Sequence, residues 1–195
     1  MNITKVSQTL PTPVHDALCL EARLLGREPN EHIQRILIQH VINNETIAHD
    51  DAERLRLVWR VVDRCVRTAR SICREGGFSE DITLHAIQRC TRDSSWLRNY
   101  AKCIEDDVYK HGNPLKGPIN RTIGAQIRAG IGGTVKKDSN GKPMMKRVLG
   151  EVIQSYTLFD AFDSEAVHRP GIPPDHEMGD GRTQGDSLLQ REPAR

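Results

Sequence analysis

Residues 3–43 read ITKVSQTLPTPVHDALCLEARLLGREPNEHIQRILIQHVIN, and this stretch decides the fold of the first part of the chain. Residues 3–10 can alternate as a short strand that ends before Pro11, with Val6 and Leu10 on one side and Lys5, Ser7 and Thr9 on the other. Two helix-length patterns follow, separated by Gly26, a residue that suits a left-handed helix end. Pro29 opens the second helix, because a proline in the first turn has no N–H to leave unpaired.

Each of these two helices carries one apolar stripe at helical spacing. The stripes are Val14-Leu18-Ala22-Leu25 and Ile33-Leu37-Val41. One strand and two short helices cannot enclose a core alone, so we expect this segment to pair with a second copy of the chain. The simplest arrangement is an intertwined dimer whose two strands form one ribbon, and such a ribbon fits the major groove of DNA.

The rest of the chain predicts a mostly α-helical second domain over residues 50–160. The apolar spacing predicts helices over residues 51–75, 80–91, from 94 to the Gly112-Asn113-Pro114 turn, and over 118–129. Residues 134–147 resemble a β-hairpin, and residues 148–159 fit either a helix or a strand. From residue 163 to 195 the chain is rich in Pro, Gly and charge, which predicts a disordered tail.

Arginine is frequent in the helix predicted over residues 51–75. The arginines lie at positions 54, 56, 60, 64, 67, 70 and 74. We favour a solvated face, balanced in part by nearby acids, over a helix that contacts DNA. The apolar seam of the same helix consists of Leu55, Val58, Val62, Cys65, Ala69 and Ile72.

Positive charge is concentrated in one segment of the chain. The whole sequence has a net charge of only +2. Residues 108–150 contain nine Lys and Arg residues and one acidic residue, Asp138, so the net charge of this segment is +8. A helix and hairpin there could bind DNA phosphates through Lys116, Arg121, Arg128, Lys136, Lys137, Lys142, Lys146 and Arg147. The alternative is a solvated surface that the acidic cluster Glu105-Asp106-Asp107 neutralises in the folded chain.

Sequence motifs of enzymes and metal sites are absent. The chain has no glycine-rich phosphate loop, HExxH, GxSxG or CxxC, so we expect no catalytic residues, no metal and no cofactor. Its five cysteines read as free, buried side chains. The longest apolar runs fall short of the roughly 18 residues of a membrane span. Without a secretory signal, a cytoplasmic protein that does not enter membranes is expected.

In the order and spacing of these features, residues 3–43 resemble the ribbon-helix-helix DNA-binding domain of the Arc and MetJ repressor type. The matching features are the strand, Leu10-Pro11, a helix ending Leu24-Leu25-Gly26, and the segment from Arg27 to Glu31 that leads into Ile33 and Leu37. The resemblance covers about a fifth of the chain and predicts a DNA-binding and dimerisation domain over residues 1–44.

The resemblance also implies which residues contact DNA. By this resemblance, Lys5, Ser7 and Thr9 contact bases, and their side chains suit hydrogen bonding to base edges. Contacts with the DNA backbone fall to Pro29, Asn30 and Glu31 at the start of the second helix, where free N–H groups favour a phosphate although Glu31 opposes it. Gln8 departs from the pattern. If the register shifts by one, Thr4, Val6 and Gln8 face DNA instead.

We therefore expect a homodimer or higher oligomer that binds double-stranded DNA in a sequence-specific manner and acts as a transcription regulator of the repressor type. One alternative is a plasmid-partition or antitoxin-like protein that binds a protein partner through the second domain. Another is a nucleic-acid enzyme that uses Asp106 and Asp107 with a divalent cation. A dimerisation arm without DNA binding is the remaining interpretation of residues 3–43.

Overall fold

Six α-helices make up most of the described chain, which comprises residues 7 and 9–169 of a computed structural model. They are α1 (Thr12–Leu25), α2 (Pro29–Asn43), α3 (His49–Arg74), α4 (Ile82–Thr91), α5 (Ser94–Ile104) and α6 (Lys116–Ile131). The prediction of a mostly α-helical chain is confirmed. Each of the helices described is too short or too polar to cross a membrane.

Helix α5 is shorter than predicted. It ends at Ile104 because Glu105 adopts the left-handed conformation, with φ 56°. The side-chain amide of Asn113 then donates to the carbonyl of Ile104 at 2.8 Å and caps the free end of the helix. The turn predicted to stop the helix therefore stops it indirectly, by folding back onto its last residue.

Helix α3 is the central element of the fold. It packs against α4, α5 and α6, and the main core lies along these interfaces. The predicted seam covers one side, but Val61, Val66 and Cys73 are also buried, so apolar contacts surround much of the helix. The indole N–H of Trp96 donates to the backbone carbonyl of Val61 at 3.2 Å, which attaches α5 to the middle of α3.

Four short strands follow α6 and form two antiparallel pairs. Strand β1 (Thr134–Val135) pairs with β4 (Phe159–Ala161), and β2 (Met145–Arg147) pairs with β3 (Ser155–Thr157). The predicted turn forms, since the Asp138 carboxylate accepts from the N–H groups of Asn140 and Lys142 at 2.8 and 2.9 Å. The flanks of that turn pair mainly with residues 155–161. The segment 148–159, which fitted either a helix or a strand, provides β3 and the first residue of β4.

The predicted disordered tail begins too early. Residues 163–169 form an ordered segment with a short 3-10 helix (Ala166–His168), and Ala166 and Val167 are each 1% exposed. Arg70 donates to the carbonyls of Ala166 and Arg169, and Arg74 donates to that of Val167. The solvated face predicted for the α3 arginines is therefore wrong for Arg70, which is 2% exposed. Residues 170–195 lie outside the described residues.

The cysteines give a direct test of this packing. Four of the five are buried, whereas Cys19 on α1 is partly exposed. Burial raises the pKa of the Cys73 and Cys103 thiols to about 11, so little thiolate forms there near neutral pH. We expect one thiol per folded chain to react rapidly with a disulfide reagent at pH 8, and five after denaturation. Cys19→Ser should remove the rapid phase, and two or more rapid thiols in the native protein would contradict this packing.

Candidate nucleic-acid interface

Helices α1 and α2 carry most of the strongly exposed large apolar side chains of the described chain. Of its eight strongly exposed large apolar side chains, five lie on these two helices. They are Val14 at 47%, Leu20 at 56%, Leu24 at 50%, Ile36 at 42% and Leu37 at 47% exposed. By contrast, Ala22 and Ile42 on the same helices are buried within the chain. We call the five residues the exposed apolar set. Val14 and Leu37 belong to the stripes predicted from the sequence, whereas Leu20, Leu24 and Ile36 lie outside them.

The residues predicted to contact bases precede α1. Ser7 and Thr9 are exposed and belong to neither a helix nor a strand. Lys5 and Gln8 lie outside the described residues, as does most of the predicted strand, so its register stays a prediction. The first helix begins at Thr12, immediately after the proline that was expected to end the strand.

The first turn of α2 is open to solvent at Asn30, and no side chain caps its free N–H groups. Pro29 is half-buried. Glu31, expected to oppose a phosphate at this place, accepts a hydrogen bond from Arg35 Nε at 2.7 Å, and its side chain is only 15% exposed. Because Arg35 pairs with Glu31, part of the carboxylate's charge is offset, and the partial positive charge at the helix start is opposed less than the sequence suggested.

A buried ion pair holds α2 on α3. Arg35 donates from both terminal nitrogens to the two carboxylate oxygens of Asp63 at 2.8 Å each, and the two residues are 6% and 2% exposed. The guanidinium also lies 5.3 Å from the centre of the Trp59 ring. Burial acts to lower the pKa of Arg35, but Asp63 and Glu31 outweigh it and the pKa is raised. The guanidinium is therefore charged and doubly paired within the fold.

The turn between α1 and α2 packs on α6. Gly26 has φ 64°, and a Cβ added there would lie 3.3 Å from the Cα of Gly130. The backbone N–H of Glu28 donates to Gln126 Oε1 at 3.4 Å, and the Glu28 carboxylate pairs with Arg128. The turn of the helix pair is therefore packed directly on α6.

The predicted basic surface is only partly available. Lys116 is 6% exposed and its Nζ donates to the carbonyls of Val108 and Lys110 at 2.7 and 3.1 Å, so its assignment as a DNA contact is wrong. Burial lowers the pKa of this amine. Arg128, Lys136 and Lys146 form ion pairs with Glu28, Glu80 and Asp81 respectively.

The remaining cations of this group have no ion pair among the described residues. They are Arg121, Lys137, Lys142 and Arg147. The acidic cluster predicted to neutralise the segment contributes one pair, Asp106 with Lys110 at 2.9 Å. Asp106 also accepts from the Asp107 N–H at 2.9 Å. Within the described chain, no group of three His, Cys, Asp or Glu side chains is arranged to hold a metal ion.

Two features of the folded chain are not predicted by its sequence patterns. One is Asp63, for which the available signal is an acid at helical spacing from the apolar residues Trp59 and Val66. The other is a cleft of about 610 Å³ between α6 and the strand region. Its signal in the sequence is the pair Gly117 and Gly124, which are seven residues apart and therefore lie on one face of α6.

No protein-family model, curated protein sequence or solved structure matches this chain.

Proposed function

We propose that this chain is a sequence-specific DNA-binding protein that acts as a homodimer through a ribbon-helix-helix arrangement of residues 3–43, and serves as a transcription regulator of the repressor type. The observation that carries the proposal is the exposed apolar set on α1 and α2. A second copy of the same helices would cover it. Covering a half-exposed Leu or Val contributes on the order of 1 kcal/mol, so five such residues favour association substantially.

The surroundings of the helix pair support the same function. Ser7 and Thr9 are exposed and free to join a two-stranded ribbon with a second copy, in which Lys5, Ser7 and Thr9 face the bases. The N–H groups at the start of α2 carry no side-chain cap and suit a DNA phosphate, and Glu31 is paired with Arg35. Arg121, Lys137, Lys142 and Arg147 would add contacts without sequence preference.

Base reading is tested with the triple variant Lys5→Ala, Ser7→Ala, Thr9→Ala. A duplex is first selected from a random DNA pool with the full-length protein, and affinity is measured by fluorescence anisotropy at fixed salt. We expect the triple variant to bind this duplex no better than a scrambled one, which is a loss of about 10³-fold or more. Lys102→Ala, which removes one charge from an exposed position of α5, is the control and should keep the preference. Retained preference in the triple variant would overturn the assignment of these residues.

The dimer is tested separately by light scattering. The wild-type chain should elute with the mass of a dimer, and Leu24→Asp with Leu37→Asp should give a folded monomer that no longer prefers the selected duplex. If the wild-type chain is a monomer and also fails to select DNA, the alternative is favoured, in which the exposed apolar set binds a different protein.

A further inference from the structure

The cleft of about 610 Å³ lies between α6, the start of α4 and the strand region. Its size falls within the range of sites for small molecules. Buried apolar side chains line its inner part, among them Ile87, Val152, Ile153 and Phe159. The opposite wall is a face of α6 on which Gly117 and Gly124 leave room. A Cβ at Gly124 would meet nothing within 4 Å.

One buried polar group in the cleft has no hydrogen-bond partner among the residues that the structure describes. Thr83 lines the cleft and is 3% exposed, and its hydroxyl oxygen makes no hydrogen bond within the described chain. A buried hydroxyl is normally paired, because leaving it unsatisfied carries a free-energy cost. The missing partner of Thr83 is therefore expected to be a molecule that occupies the cleft.

Two further side chains provide polar recognition at the α6 wall. Tyr100 donates to the Asn120 carbonyl oxygen at 2.7 Å, which fixes Asn120 and leaves its amide N–H groups as donors. Arg121 lines the cleft and forms no ion pair with any described residue, whereas the neighbouring Arg128 is already paired with Glu28. The cleft thus combines an apolar interior, neutral hydrogen-bonding groups and, in Arg121, a cation without an ion pair among residues 9–169.

We propose that this cleft binds a small organic anion with a flat apolar body and a single acidic group. The body would lie between Gly124 and the buried apolar side chains. The acidic group would accept from the Arg121 guanidinium and the Asn120 amide, and a polar atom of the body would pair with the Thr83 hydroxyl. This site goes beyond the proposed DNA binding. Of its three polar residues, Thr83 and Asn120 have no role in DNA binding, and Arg121 is only an accessory cation there.

The probe is 1-anilinonaphthalene-8-sulfonate, which has an aromatic body and one sulfonate group. Titration of the full-length protein should give a saturable fluorescence increase with one site per chain. Arg121→Gln should weaken binding about tenfold or more, because a charge-assisted hydrogen bond is lost. Gly124→Leu should abolish binding by filling the cleft, while the matched variant Gly124→Ala should retain it. Circular dichroism establishes that each variant is folded.

Thr83→Val separates a ligand role from a purely structural one. It removes the unpaired hydroxyl and keeps the shape, so the melting temperature of the free protein should rise while probe affinity falls. Because the probe can also bind the exposed apolar set, Leu24→Ser with Leu37→Ser is the second control and should leave the saturable site intact. Absence of saturable binding, loss of it in this control, or equal binding by wild type, Arg121→Gln and Gly124→Leu would each overturn the proposal.

Discussion

Replacement of Asp63 by alanine should lower the free energy of unfolding by about 3–5 kcal/mol. Asp63 is 2% exposed and accepts both terminal N–H groups of Arg35. Without it the guanidinium stays buried with only Glu31 as a carboxylate partner. Loss of Asp63 also affects Arg27. Burial and the charge of Arg35 lower the pKa of Arg27, and the carboxylate of Asp63 acts in the opposite direction. Urea denaturation followed by circular dichroism measures the loss.

The expected loss is large relative to the total stability of a domain, about 5–15 kcal/mol. Asp51→Ala, at an exposed position of the same helix, should change stability by less than about 1 kcal/mol. The double variant Arg35→Met, Asp63→Leu replaces both charges by apolar groups and should recover most of the loss. A decrease below about 1 kcal/mol for Asp63→Ala would contradict the burial and pairing of this carboxylate.

Replacement of Gly130 by alanine should destabilise the chain by about 1–3 kcal/mol, as overpacking does in a filled interior. A Cβ at this position would lie 2.4 Å from Cγ1 of Val66, and the Gly26 turn closes the other side. The clash outweighs the roughly 1 kcal/mol by which alanine exceeds glycine as a helix former. Thermal and urea unfolding of the variant measure the change.

Gly124→Ala is the matched substitution six residues earlier in α6. Nothing lies within 4 Å of its added Cβ, so stability should rise by about 0.4–1 kcal/mol. The two alanine substitutions are therefore expected to change the free energy of unfolding in opposite directions, although both lie in α6. Adding Val66→Ala to Gly130→Ala removes the clashing methyl groups, and the double variant should lose less than the sum of the two single losses. A stability change in the same direction for both substitutions would contradict the close packing of α6 on α3.

Local signals in the sequence predicted the helices well. Gly26 and Pro29 separate α1 from α2 as expected, because a left-handed end and a proline in a first turn are set by backbone geometry alone. Five of the six helices begin and end within two residues of the predicted bounds. The exception is α5, whose end depends on Asn113 reaching back to Ile104, a contact that periodicity does not encode.

Partners distant in the sequence could not be predicted. Arg35 and Asp63 are 28 positions apart, and each alone resembles an ordinary charged residue of a helix. The same holds for Lys116, which counts as a surface cation until its amine is seen to bind two backbone carbonyls. For the tail, composition indicated disorder, yet Ala166 and Val167 are apolar enough to be held on α3 once Arg70 and Arg74 bind the backbone around them.

The docking of the helix pair also imposes an order on events during synthesis. Helices α1 and α2 are complete at residue 43, but Gly130 on α6, against which their turn packs, is made much later. At about 5–20 residues per second, roughly 4–17 seconds separate the two. During that interval the exposed apolar set is already present and α6 is not. Two chains growing on one messenger RNA could therefore join through α1 and α2 before either chain closes its own turn onto α6.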